Sequence, residues 1–216
     1  MNTKIVSLLT AFGLCINAAF AGNSVRVGYA SDYFYRGAQK AEESLQASLM
    51  LGHSLGSLEG SLHICSNQAV DTGNDSYHMG AGVGTSFLDG LLSAYAGINH
   101  FEDVPGNSLA EAEVRVSVDA LLSPSVTLFR DLDESLYTYE LGLSHVLETK
   151  VADLSVSASY GNTETSSSSD TDYYGLGVSA SKSLSDTASL GGSVDYVDAD
   201  NIDNEFVFGV GLTFNF

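Results

Sequence analysis

Four charged residues close together raise the first chemical question. Glu111, Glu113, Arg115 and Asp119 alternate with Ala112, Val114, Val116 and Val118. Alternate side chains of a strand share a face. Three acids and one base would therefore form a row on one wall, with aliphatic groups on the other. Fixed acids lining a narrow passage favour cations, and fixed bases favour anions. Further charges fall at the same phase of other segments: Arg26, Asp32, Arg36, Glu140, Asp153 and Asp195. Acids outnumber bases in this set, which points to a weakly cation-favouring passage. A second reading is that these charges pair across a narrow interior and seal it. Asp32 and Arg36, four apart, are candidates for such a network.

Other chemistry is weakly represented. The histidines are His53, His63, His78, His100 and His145. His63 and His78 fall on the same face as the charges, His53 and His145 near segment ends, and His100 near a loop. A hydrolase needs nucleophile, base and orienting group within hydrogen-bond reach, and no spacing here supplies them. No catalytic residue is assigned. Acidic groups recur in the connections, as at Asp131, Asp133 and Glu134, Asp170 and Asp172, and Asp198, Asp200, Asp203 and Glu205. Oxygen ligands can hold Ca²⁺ or Mg²⁺, but the spacing lacks a calcium-loop pattern, so hydrated surface is the simpler reading. Neither a metal site nor a cofactor is expected. The chain carries 8 basic and 27 acidic residues for a net charge of −19. It has no basic patch of the kind nucleic acid requires.

The elements that would position these charges are strands. Phe206, Phe208, Val210, Leu212, Phe214 and Phe216 alternate with Val207, Gly209, Gly211, Thr213 and Asn215. Segment 152–160 sets Ala152, Leu154, Val156, Ala158 and Tyr160 against Asp153 and three serines. About twelve such segments succeed one another, each near the ~9–11 residues that a tilted strand needs to cross a bilayer. Segments 91–101 and 124–131 leave the facing of Tyr95 and Phe129 open. Short links, as at Gly56-Ser57 and Asp89-Gly90, alternate with longer polar ones at 36–43, 69–75, 102–109, 131–135, 162–172 and 199–204. The fold class expected is all-β: an antiparallel transmembrane β-barrel with short periplasmic turns and longer acidic extracellular loops. A secreted β-sandwich would also alternate. Against it stand the segment lengths, the Gly- and Ser-rich second face, and aromatic residues such as Tyr77, Phe87, Tyr137, Tyr139 and Tyr174 near segment ends.

The first residues read as a leader. Lys4 precedes the apolar stretch Ile5–Ile16, and Ala19-Phe20-Ala21 supplies a small-residue cleavage site. Residues 1–21 are expected to be removed and 22–216 to form the barrel, in the outer membrane of a Gram-negative bacterium. Cleavage would remove Cys15 and leave only Cys65, which excludes a disulfide within the mature chain.

Two resemblances extend this reading. Terminal Phe216, with Phe214 before it, resembles the signal by which outer-membrane proteins reach the barrel-assembly machinery. Tyr29-Ala30-Ser31-Asp32-Tyr33-Phe34-Tyr35-Arg36-Gly37 resembles the opening strand of the TorF family of porin-like proteins. Ser66-Asn67 and Tyr139-Glu140-Leu141-Gly142 are similar to later parts of that family. The resemblance implies a porin-like barrel. Its expected surroundings are outer-membrane lipid and lipopolysaccharide, and its expected cargo is ions or small solutes. A surface-display barrel using its acidic loops for adhesion or divalent-cation binding is the alternative, and a barrel lipid hydrolase a more distant one.

Overall fold

The structure, a computed structural model, describes residues 22–71, 73–104, 106–165, 170–200 and 202–216. The expected leader and part of the Thr163–Ser169 stretch lie outside the described residues. In chain order the strands are β1 (Ser24–Tyr35), β2 (Ala38–Leu55), β3 (Leu58–Ala69), β4 (Asp75–Phe87), β5 (Leu92–Val104) and β6 (Ser108–Val118). They continue with β7 (Ser125–Asp131), β8 (Tyr137–Glu148), β9 (Asp153–Thr163), β10 (Thr171–Ser185), β11 (Ala188–Ala199) and β12 (Ile202–Asn215). Every strand pairs antiparallel with its sequence neighbours, and β1 pairs with β12 to close a twelve-stranded barrel. Closure removes the unpaired backbone groups that an edge strand would carry.

The pleat sorts the residues as the alternation predicts. Val178, Phe208 and Ile98 point outward with 56%, 56% and 62% of their surface exposed. Exposed apolar side chains on this scale, all round a closed sheet, form the outer wall expected of a barrel in lipid. Most outward aromatic residues gather at the end away from the termini. There Tyr160 packs on Tyr174 at 5.2 Å and Tyr196 on Phe206 at 5.3 Å between ring centres. Tyr95 and Phe129, whose facing the sequence leaves open, both point inward. Phe129 is buried in the interior, and the Arg115 guanidinium lies 5.8 Å from the Tyr95 ring centre.

The termini share one end of the barrel, where Ser24 pairs with Asn215. The opposite end, the mouth, departs from the sequence reading. Residues 36–43 are not a long loop: Arg36 and Gly37 alone make the turn, and β2 begins at Ala38. Both turn residues have positive φ, 50° and 76°. That is the two-residue hairpin geometry that matches strand twist.

This hairpin leaves the wall. The β1–β12 ladder ends at Ala30↔Gly209, and the β2–β3 ladder ends at Ser44↔Ala69. Beyond those rungs the two strands pair with each other, with a register shift at Tyr33/Phe34 and positive φ at Glu43. Bulges bend a strand and re-aim the residues beyond them. The bent segment is tied to the β3–β4 connection by an Ala41↔Gly73 bridge and by Val70 N–H donating to Glu43 O at 2.9 Å.

Candidate functional site

The interior is the enclosed polar surface that the barrel offers, and its upper part is crossed by the β1–β2 hairpin. Just before the turn, Phe34 joins Ala30, Val197 and Val207 in an apolar cluster beneath the mouth. At its tip, Gly37 lies against β10 and β11. A Cβ there would meet Ala199 Cβ at 2.8 Å and Tyr173 Cβ at 2.9 Å, so glycine is needed for the close approach as well as for the turn.

Arg36 completes the crossing. Its guanidinium forms a two-pronged ion pair with Glu111 of β6, with Nη2 donating to Oε2 at 2.9 Å. It also lies 3.7 Å from the centre of the Phe129 ring of β7. Tyr35 Oη donates to the same Glu111 Oε2 at 2.9 Å, and the Tyr35 ring packs on Phe101 at 3.9 Å. Bidentate geometry, a second donor and an aromatic platform make this a strong, directional contact. A second pair holds the hairpin's flank, where Lys40 Nζ lies 2.9 Å from Asp103 Oδ2.

Closer to the termini a polar layer spans β5 and β6. Asn99 Nδ2 donates to Glu113 Oε2 at 3.0 Å, and Arg115 Nη2 donates to Glu113 Oε1 at 2.5 Å. Farther along the wall, Tyr173 of β10 reaches over Gly161 of β9, and its Oη donates to Glu140 Oε2 of β8 at 3.0 Å. Several buried polar atoms here make no hydrogen bond within the protein, among them Gln46 Oε1, Asn67 Oδ1 and Arg115 Nε. Buried polar groups of this kind are ordinarily satisfied by water, so the lining is built for a wet interior.

The barrel shares its fold with solved outer-membrane porins and channels. KdgM porin matches with a TM-score of 0.61 at 13% identity, covering 89% of this chain and 99% of that one. NanC porin matches with a TM-score of 0.58 at 10% identity, covering 90% and 100%. An outer membrane channel from Pseudomonas putida F1 matches with a TM-score of 0.60 at 11% identity, covering 100% and 99%. At such identities the likeness is one of fold, and function has to be argued from the site. No protein-family model matches the chain, and no curated protein matches it by sequence.

The ten charged residues singled out from the sequence separate into groups. Glu111 and Arg36 join at the mouth, and Glu113 and Arg115 join in the layer below. Glu140 stands in the same row as Arg115, two strands along the wall, with Thr127 between them. Asp195 and Arg26 lie on the wall nearer the termini, over Gly177 and Gly211 respectively. Asp119 and Asp153 sit at that end and are exposed. Asp32 and Arg36 do not form the expected pair. Asp32 accepts from Gln39 Nε2 at 3.0 Å, because Arg36 has left the strand for the turn and reaches the far wall. Tyr35, Phe101, Phe129 and Tyr173 escape a search for charge, since aromatic residues read as outer wall when only alternation is considered. Among the described residues, no three of His, Cys, Asp and Glu converge as a complete metal centre.

Proposed function

We propose that this chain is an outer-membrane channel, narrowed at one end by its own β1–β2 hairpin, that passes small cations or small neutral solutes. One observation carries the reading: a closed barrel with an apolar outside encloses a polar, acid-rich inside. The pairs Arg36–Glu111, Arg115–Glu113 and Lys40–Asp103 neutralise one another. Of the ten charges singled out from the sequence, Glu140, Asp153, Asp195, Asp119 and Asp32 then remain against Arg26 alone. Such a surplus of fixed carboxylates attracts cations and repels anions. KdgM porin has been solved in complex with disordered oligogalacturonate. A polyanion of that kind is a poor partner for this lining.

Twelve strands fit the range between filled eight-stranded barrels and wide porins. The hairpin reduces the passage further, so low conductance is expected. Phe214 and Phe216, 45% and 68% exposed at the last strand's end, are the assembly signal in this reading, and outer-membrane lipid is the surrounding partner. The crossing hairpin also favours a second reading, a sealed barrel that displays its connections. Planar-bilayer recording of refolded protein separates the two. The channel reading expects small conductance steps and a reversal potential favouring K⁺ over Cl⁻. Silent membranes with correctly folded protein would favour the sealed barrel.

A further inference from the structure

Three adjacent strands place an unusual set of donors on the inner wall. The register aligns His63 of β3 with Gly80 of β4 and Asn99 of β5 in one row. The next row toward the mouth holds Cys65, His78 and Phe101. His63 and His78 turn their Nε2 atoms toward each other at 3.2 Å. Asn99 Oδ1 is buried, in a residue only 7% exposed, and its side chain lies within hydrogen-bonding reach of His78. It converges on the same spot: a Cβ built on Gly80 would collide with Asn99 Oδ1 and, at 2.6 Å, with His63 Nε2. Glycine at position 80 therefore leaves the floor of a small cradle open.

We propose that His63, His78 and Asn99 form a binding station for a borderline divalent metal ion such as Zn²⁺ or Cu²⁺. Imidazole nitrogen suits these ions, and their bonds to it run ~2.0–2.1 Å. Two nitrogens 3.2 Å apart then subtend about 100° at the ion, close to tetrahedral. The surrounding contacts hold the donors in that pose. His78 is stacked on Phe101 at 4.1 Å between ring centres. Asn99 is oriented by Glu113, a pure acceptor that takes the Nδ2 donor and so turns Oδ1 away from itself, toward the histidines. Arg115 in turn fixes Glu113. No further His, Cys, Asp or Glu among the described residues completes the set. The ion would keep open positions for water, which makes the station reversible rather than structural. The competing account of the short nitrogen contact is an imidazole–imidazole hydrogen bond.

The site stands on the geometry of the inner wall and does not require the channel reading. Its test is metal binding to the detergent-folded barrel in excess Mg²⁺. That hard cation occupies the acidic connections but competes poorly for imidazole. Zn²⁺ titration calorimetry of the wild type is expected to show one site per chain. Cu²⁺ electron paramagnetic resonance should show two equatorial nitrogens. His63→Ala and His78→Ala should each abolish the site, Asn99→Ala should weaken it about tenfold, and His145→Ala should leave it intact. Heat-modifiable gel mobility checks that each variant is folded. The wild-type Cu²⁺ spectrum decides the matter on its own where a variant is not. A Zn²⁺ isotherm unchanged by His63→Ala, a spectrum without a nitrogen pair, or no binding beyond what Mg²⁺ displaces would leave the hydrogen bond as the whole explanation. A barrel that binds the ion without conducting overturns only the channel.

Discussion

Arg36 lies in the turn between β1 and β2, yet its guanidinium ends on Glu111 of β6 across the barrel interior, with side-chain exposures of 10% and 3%. The pair fastens the free end of a hairpin that has no ladder partner beyond Ala30 and Ser44. It acts together with the Lys40–Asp103 pair and the packing of Gly37 on Ala199 and Tyr173 to hold the hairpin across the mouth.

The two partners should prove energetically coupled. Glu111→Ala leaves a buried guanidinium without its carboxylate, and losses of this kind run about 3–5 kcal/mol. Arg36→Ala leaves Glu111 with only the Tyr35 hydroxyl. The double variant should lose clearly less than the sum of the two singles, as coupled partners do. Urea unfolding of the refolded barrel measures all three. In bilayers the double variant should conduct more than the wild type, because its hairpin is no longer pinned across the passage. Additive losses with unchanged conductance would mean that the pair neither couples nor gates.

Gly37 gives a second, independent handle on the same hairpin. Its φ of 76° and the 2.8 and 2.9 Å approaches to Ala199 and Tyr173 act together, so Gly37→Ala combines backbone strain with a clash. Gly56, in the β2–β3 turn, has φ 69° with nothing within 4 Å, so Gly56→Ala carries the strain alone, about 1 kcal/mol. Denaturation midpoints should place Gly37→Ala below Gly56→Ala by a further ~1–3 kcal/mol, the usual cost of overpacking. Equal midpoints would show that the tip does not press on β10 and β11.

The wall of this barrel is legible in the sequence and the mouth is not, for a physical reason. Residues 152–160 and 206–216 alternate because lipid and interior impose opposite demands on successive side chains. Phase is lost where aromatic residues take the inner face. Tyr95 lies beside Arg115, and Phe129 carries the Arg36 guanidinium, so neither follows the apolar-outside rule. The hairpin reads as a loop in the sequence because its fold depends on Glu111, 75 residues away from Arg36. No local period encodes that contact. His63 and His78 fall on the inner face by alternation alone. Their mutual approach requires the β3–β4 register, which sets His78 opposite Cys65 and leaves His63 one row behind.

The lipid-facing wall can be tested by charge. Val178, near the middle of β10 and 56% exposed, should tolerate Arg poorly when the barrel is folded into bilayers, by about 2–4 kcal/mol for a site near the midplane. The neighbouring Ser179 faces the interior, and Ser179→Arg should cost much less, since its head can stay in water. A cost for Val178→Arg no larger than that for Ser179→Arg would show that this face does not meet lipid.

Selectivity should follow the interior acids outside the three ion pairs. Glu140→Gln, Asp153→Asn and Asp195→Asn each remove one negative charge from the lining without adding bulk. Each should shift the zero-current potential in a KCl gradient toward the non-selective value, and the triple variant should approach it. Screening sharpens the test, because the Debye length is about 10 Å at 0.1 M salt and about 3 Å at 1 M. The difference between wild type and triple variant should thus be large in dilute salt and shrink in concentrated salt. Glu113→Gln should behave differently. Its charge is already matched by Arg115, so losing it leaves an unopposed guanidinium and should push selectivity toward anions. A wild-type preference for K⁺ that survives the triple substitution in dilute salt would place the selective charges elsewhere, at the acidic rim of the mouth rather than on the inner wall.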